Sequence, residues 1–164
     1  MFSIYRQQNF VKKTMKPLMI LILVFVAALV AGKVFQGQYS PAWSGRIAMT
    51  AMLLFTAVGH FVFTKGMSLM LPAFVPGRTA LVYITGGLEI AAAVGLLIPG
   101  VRVPAAWCLV IFFALLLPAN IHAALMHVDY QNATFRGSGP SYLWFRVPLQ
   151  LFFIAWVYLS AVKA

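Results

Sequence analysis

The sequence predicts an all-α integral membrane bundle, with a four-helix core preceded by one extra N-terminal transmembrane helix. Three observations predict it. Of 164 residues, 63% are hydrophobic and only 9% charged, where a soluble domain typically carries about 25% charged residues. The apolar residues fall into runs close to the ~20 needed for a helix to cross a bilayer. The basic residues, which give a net charge of +10 against two acids, Glu89 and Asp129, mostly flank those runs.

The first span is read from Pro17 to Val34, apolar on every side as a lipid-facing helix should be. Residues 1–16 form a basic segment with Arg6, Lys12, Lys13 and Lys16. This order matches a retained signal-anchor, with the basic segment in the cytoplasm. Polar, turn-forming residues from Gln36 to Pro41 end the span. Span 2 is read from Gly45 to Thr64. The apolar stretch Gly66 to Gly77 follows, broken by Pro72 and Pro76, and is too short to cross, so an interfacial or re-entrant course is expected. Span 3 runs from Thr79 to Ile98 and stops at Pro99-Gly100. Span 4 runs from Val103 to Met126, and Pro118 should kink it by removing a backbone donor. After the polar loop Val128–Pro140, span 5 runs from Tyr142 to Val162, with Trp144 and Trp156 suited to the two interfaces. Residues 45–162 therefore make the four-helix domain.

Charge placement sets the expected orientation. Arg6, Lys12, Lys13, Lys16, Lys65, Arg78 and Arg136 fall on the N-terminal side, and Lys33, Arg46, Arg102 and Lys163 on the other. The bias puts the N-terminus in the cytoplasm and the C-terminus across the membrane. On that side the sequon at Asn132 would go unused. Basic residues placed at the ends of apolar runs serve anionic lipid, which excludes nucleic acid as the partner. The lone Cys108, inside an apolar run, reads as a small buried hydrophobe.

Polar residues at membrane depth are costly, about 2.5–3.5 kcal/mol for a charged side chain at a helix centre on insertion scales. The candidates are His60, Glu89, Asn120, His122, Arg146 and Gln150. Connectivity puts all of them at mid-depth or in the cytoplasmic half. Thr56, His60 and Thr64 share a helical stripe, as do Thr85 with Glu89 and Arg146 with Gln150. Glu89 and Arg146 are expected to pair, directly or through Gln150 or water, since either charge alone would be costly in hydrocarbon. The segment from Met67 to Pro76 could lid this cluster. Gly87, Ala91 and Gly95 form a small-residue series that allows close helix packing and would make span 3 the central helix. A structural use of the cluster, as interhelical glue worth about 0.6 kcal/mol per contact, competes with a ligand role. His122 and His127 read as structural or interfacial.

Other chemistry is poorly served. The sequence lacks His-Glu-x-x-His, paired carboxylates, Cys-x-x-Cys, a Gly-rich phosphate loop and Gly-x-Ser-x-Gly. Metal is not expected, and His60 with His122 is the only couple that two-imidazole haem ligation could use. No self-contained catalytic motif is present.

Five short segments in order carry a family resemblance: Gly59-His60-Phe61 with Leu71-Pro72-Ala73-Phe74-Val75-Pro76, Thr85-Gly86-Gly87-Leu88-Glu89-Ile90, Gly95-Leu96-Leu97-Ile98-Pro99, Pro118-Ala119-Asn120-Ile121, and Arg146-Val147-Pro148-Leu149-Gln150. From Arg46 to Tyr158 the chain resembles DoxX-like membrane proteins, and span 1 is an addition to that family's four helices. The resemblance implies a four-helix membrane bundle of the bacterial inner membrane. Some such proteins are subunits of quinone-linked oxidoreductases. The expectation is thus an accessory or structural subunit of a membrane redox assembly, with protein partners or further copies of itself and no redox cofactor of its own. The alternative is a site for a quinone or other lipophile, built from His60, Glu89, Asn120, Arg146 and Gln150. A small-solute or proton pathway through Glu89 is the third reading.

Overall fold

The computed structural model describes residues 15–164, so Arg6, Lys12 and Lys13 of the basic segment lie outside the described residues. Among those described the chain is helical, and strand pairing is confined to one isolated bridge, Asp129 with Thr134.

Helix α1 is Lys16–Gln36. It opens on Pro17, whose missing N–H costs nothing in a first turn, and closes at Gly37 in the left-handed conformation (φ 73°). Helix α2, Pro41–Val62, starts four residues before the expected Gly45, because Pro41 serves as another first-turn proline. A break at Phe63 leads into the short α3, Thr64–Ser68, and then tight turns to Gly77. Helix α4 is Arg78–Gly95, α5 is Arg102–Leu125 with Pro118 inside it, and α6 is Leu143–Val157. A 3-10 turn, Gly139–Tyr142, enters α6, and a π-helical turn, Tyr158–Val162, ends it.

Four of these segments are long and apolar enough to cross a membrane: Lys16–Gln36, Pro41–Val62, Arg102–Leu125 and Gly139–Val162. Helix α4 stands apart from them. Its 18 residues span about 27 Å at 1.5 Å each, and Arg78, Thr79, Thr85 and Glu89 dilute its apolar character.

The core forms where α2, α5 and α6 converge, with Leu21 from α1 and Leu96 after α4. Met49, Met52 and Leu53 meet Leu109, Phe113, Phe153 and Val157 there, all buried. Phe113 and Phe153 stack at 6.0 Å between centroids. Helix α2, and not the expected span 3, is the central element: it packs on α1, α4, α6 and the π turn. Its packed face carries small residues, Ser44, Gly45, Ala48 and Ala57, which let neighbours come close. Trp156 fixes one such approach by donating from Nε1 to the Gly45 carbonyl at 3.0 Å.

The α5–α6 loop folds back onto α3. The Tyr130 backbone lies directly against Gly66, where a Cβ would sit 1.7 Å from the Tyr130 carbonyl oxygen. Phe63 and Tyr130 meet edge-on at 6.0 Å. Asp129 organises the loop, its carboxylate accepting from the Gln131 and Asn132 N–H groups and from Asn132 Nδ2 at 2.7 Å. Burial pushes the Tyr130 phenol up from its ordinary pKa, and the neighbouring Tyr142 adds to the shift.

Candidate functional site

The packing of α4 on α2 places an imidazole beside a buried acid. His60 occupies the last turn of α2, and Glu89 the middle of α4, with 4% of its surface exposed. Their Nε2 and Oε2 atoms are 3.4 Å apart, the one ion pair within 4 Å among the described residues. Gly86 makes the approach possible. It lies directly against His60, and a Cβ there would come within 2.8 Å of the His60 Cβ. This is the glycine at which the two helices need close contact.

The rest of the ring is fixed by α4. His60 Nδ1 lies 3.1 Å from the Val82 carbonyl and 3.1 Å from Thr85 Oγ1. The Thr85 hydroxyl donates to Leu81 and Val82, each at 2.9 Å. A carbonyl only accepts, so Nδ1 carries a hydrogen, and in the neutral ring Nε2 then turns its lone pair toward Glu89. One proton placed between Nε2 and Oε2 satisfies the pair, whichever partner holds it. The contact is not aligned as a hydrogen bond, however. Glu89 Oε2 is shielded from solvent and has no hydrogen-bond partner. Thr56, one turn before His60, lies beside the same carboxyl.

Arg146 stands apart from the pair. It acts on Glu89 electrostatically without an ion pair, and its own Nε is buried without a hydrogen-bond partner. The direct Glu89–Arg146 pair expected from depth is therefore not formed. His60, on the adjacent helix, reaches the acid first. Gln150 does not bridge Glu89 and Arg146 either. It accepts from Asn120 Nδ2 at 3.3 Å and donates to the Phe113 carbonyl, which clasps α6 to α5. That carbonyl lies one residue before Ala114, whose usual helical donor Pro118 removes, so the clasp sits at the weakened part of the helix.

The remaining candidates divide. His122 Nδ1 bonds the Met70 carbonyl at 2.9 Å and so ties the segment Met67–Pro76 to α5. His60 and His122 thus hold different main-chain carbonyls. Among the small-residue series, Gly95 packs close on Ala105, whereas Gly87 and Ala91 face outward, and a Cβ on Gly87 would meet nothing within 4 Å. The α2–α4 contact uses Gly86 in their place. Gly86 and the Val82 carbonyl are the site components that sequence reasoning missed. Placing Glu89 and Gly86 three residues apart on one inward face would have found the glycine.

A family model, "Domain of unknown function (DUF8561)", matches residues 49–161. The chain belongs to this family. Comparison with curated proteins gives no match, and comparison with solved structures gives none. The DUF8561 match begins inside α2 and ends in the π turn, so it takes in His60, Glu89, Asn120, Arg146 and Gln150. Helix α1 lies outside it.

Proposed function

We propose that this protein is an integral membrane protein that holds the polar head of a lipophilic, quinone-like molecule beside His60 and Glu89. On this reading α4 is a fifth crossing. It starts on the side where α2 ends, and at its other end Gly95 meets Ala105 of α5. The orientation follows the basic residues, with the N-terminus in the cytoplasm and the membrane a bacterial inner one. The observation that carries the reading is the pair of unsatisfied buried atoms, Glu89 Oε2 and Arg146 Nε. One is an acceptor and the other a donor, and electrostatic interaction links their side chains. Groups of this kind are rarely left unsatisfied in hydrocarbon, and a head group with both carbonyl and hydroxyl character satisfies both. His60 adds a site that can give or take a proton as such a head changes protonation.

The likeness to DoxX-like proteins supplies the setting, an accessory subunit of a quinone-linked redox assembly. Native mass spectrometry after gentle extraction from the protein's own membranes tests both parts. The expected result is a retained quinone-class lipophile in the wild type, lost in Glu89→Gln and Arg146→Gln while the proteins stay folded. Equal lipophile content in all three would overturn the site. Stoichiometric protein partners with no lipophile would leave the accessory role and remove the ligand.

A further inference from the structure

The segment that joins α3 to α4 turns an aromatic ring away from the protein. Phe74 is 85% exposed, although Met67 to Pro72 before it are half-buried. The turn that presents it is held from several sides. Val75 donates its N–H to the Pro72 carbonyl at 3.1 Å, which closes the turn around Ala73 and Phe74. Arg78 donates from Nη1 to the Leu71 carbonyl at 3.4 Å, and His122 Nδ1 bonds the Met70 carbonyl at 2.9 Å. Further back, Met67 seats its methyl against Gly59, one residue before His60. The exposure of Phe74 is thus built into a braced turn.

Main chain, charge and area say what covers the ring. Leu69, Met70 and Leu71 bond their N–H groups to Gly66, Met67 and Ser68, and Pro72 and Pro76 have none to bond. Few donors are left to lose water, as an apolar environment requires. Ala73 and Phe74 donate to no main-chain acceptor among the described residues. The tip therefore suits a head-group layer, where water remains, and not the hydrocarbon centre. Lys65 and Arg78 bracket the segment, and neither has an acid within 4 Å among the described residues. Cations on both sides of an apolar tip match anionic phosphates above acyl chains. A protein partner fits poorly. One aromatic ring buries about 150–250 Å², against the ~800 Å² per partner of a stable interface. A leaflet sets no such minimum. Trp144, 84% exposed at the start of α6, lies at the same end and suits the same level.

We infer that residues 71–76 form an interfacial anchor, with the Phe74 ring in the lipid leaflet at the α5–α6-loop end and Lys65 and Arg78 at its anionic phosphates. The anchor rests on the membrane reading above and is independent of the quinone-like ligand. It also sets the level of the polar cluster, since it joins the helix of His60 to the helix of Glu89.

The test is the depth of a nitroxide on Phe74→Cys, in a chain whose exposed Cys108 is replaced by Ala. The protein is placed in vesicles of phosphatidylcholine with a minor fraction of phosphatidylglycerol. Collisions with oxygen, which prefers lipid, are compared with collisions with a water-soluble nickel chelate. The same label at Leu115, 70% exposed in the middle of α5, marks the hydrocarbon, and at Arg136, exposed in the α5–α6 loop, marks water. The oxygen-to-nickel ratio at Phe74 should fall between the two, at a depth of about 5–10 Å into the head-group and acyl boundary. Ala73→Cys, exposed on the same turn, repeats the measurement if the first chain fails to insert. Nickel access equal to that at Arg136 would put the tip in water and overturn the anchor. Access to neither reagent would mean that protein covers the ring, a second copy included, and would overturn the lipid assignment. A ratio equal to that at Leu115 would overturn the head-group level. A nickel-accessible Leu115 would overturn the membrane reading, and the anchor with it.

Discussion

Replacing His60 by Leu should damage the protein more than replacing both His60 and Glu89 by Leu. The reasoning starts from Glu89, which is 4% exposed and whose one ion-pair partner is His60 at 3.4 Å. Removing that partner leaves a buried carboxyl whose Oε2 already lacks a hydrogen bond. Breaking a buried pair costs about 3–5 kcal/mol, and the poor alignment here places His60→Leu near 3 kcal/mol. Leu keeps the Cβ against which Gly86 packs, so the helix spacing survives. In the double variant His60→Leu/Glu89→Leu the uncompensated group is gone, and two apolar side chains of similar size meet. Its stability should return to within about 1 kcal/mol of wild type. The expected coupling energy, about 2 kcal/mol or more, lies well outside the ~0.5 kcal/mol that independent sites show. Equilibrium unfolding in mixed micelles, monitored by Trp fluorescence, measures all four corners of the cycle. Additive losses, with the double variant worst, would refute the argument that the two residues are held together by their pairing. On the proposed reading, lipophile retention should fail in every variant of the cycle, a readout separate from the stability of the pair.

Three further outcomes follow from the packing. Gly66→Ala places a Cβ 1.7 Å from the Tyr130 carbonyl oxygen, a backbone atom that cannot swing aside. The α5–α6 loop should lift, with a loss of about 2 kcal/mol and faster proteolysis between residues 128 and 140, while Gly87→Ala, which meets nothing within 4 Å, should be neutral or slightly stabilising. Gln150→Leu should cost about 2 kcal/mol by thermal unfolding, because it leaves Asn120 Nδ2 unpaired at a buried position and removes the clasp to the Phe113 carbonyl. Tyr130 titrates above its ordinary value of about 10 because burial, and then Tyr142, oppose its ionisation. The folded state therefore holds this proton more tightly than the unfolded one, so its contribution is full below about pH 10 and fades as pH rises through the raised value. Melting temperatures between pH 8 and 11 should fall more steeply in wild type than in Tyr130→Phe.

The helices were legible because hydrocarbon imposes a length and a composition that single residues cannot hide. Spans 1, 2, 4 and 5 all appear, with ends displaced only where local chemistry extends or stops a helix, as Pro41 does at the start of α2. Span 3 was harder. The same residues that made it interesting, Thr85 and Glu89, make it the least apolar of the long helices, and composition alone does not separate it from a buried helix that stops short of crossing. The choice of central helix failed for a related reason. A small-residue series shows where close packing is possible, not which neighbour arrives. Gly87 and Ala91 face outward because the α4 face that turns inward is the one carrying Val82, Gly86, Glu89 and Ala93.

Depth told which polar residues share a level, and it grouped His60, Glu89 and Arg146 together. It could not tell which two touch, because pairing depends on which helices are neighbours. Arg146 was the natural choice by charge, since opposite charges attract over distance. His60 is the partner by adjacency, because α2 and α4 pack directly while Arg146 comes in on α6. On the proposed reading the consequence is functional. An Arg–Glu pair would have neutralised both charges and closed the site. The His60–Glu89 contact at 3.4 Å is an ion pair without an aligned hydrogen bond, so Glu89 Oε2 and the Arg146 Nε both remain without hydrogen-bond partners. A polar network built only to hold helices together would be expected to close on itself, as Asn120, Gln150 and the Phe113 carbonyl do. The network at Glu89 stays open, and that contrast within one bundle is the strongest physical reason to look for a ligand there.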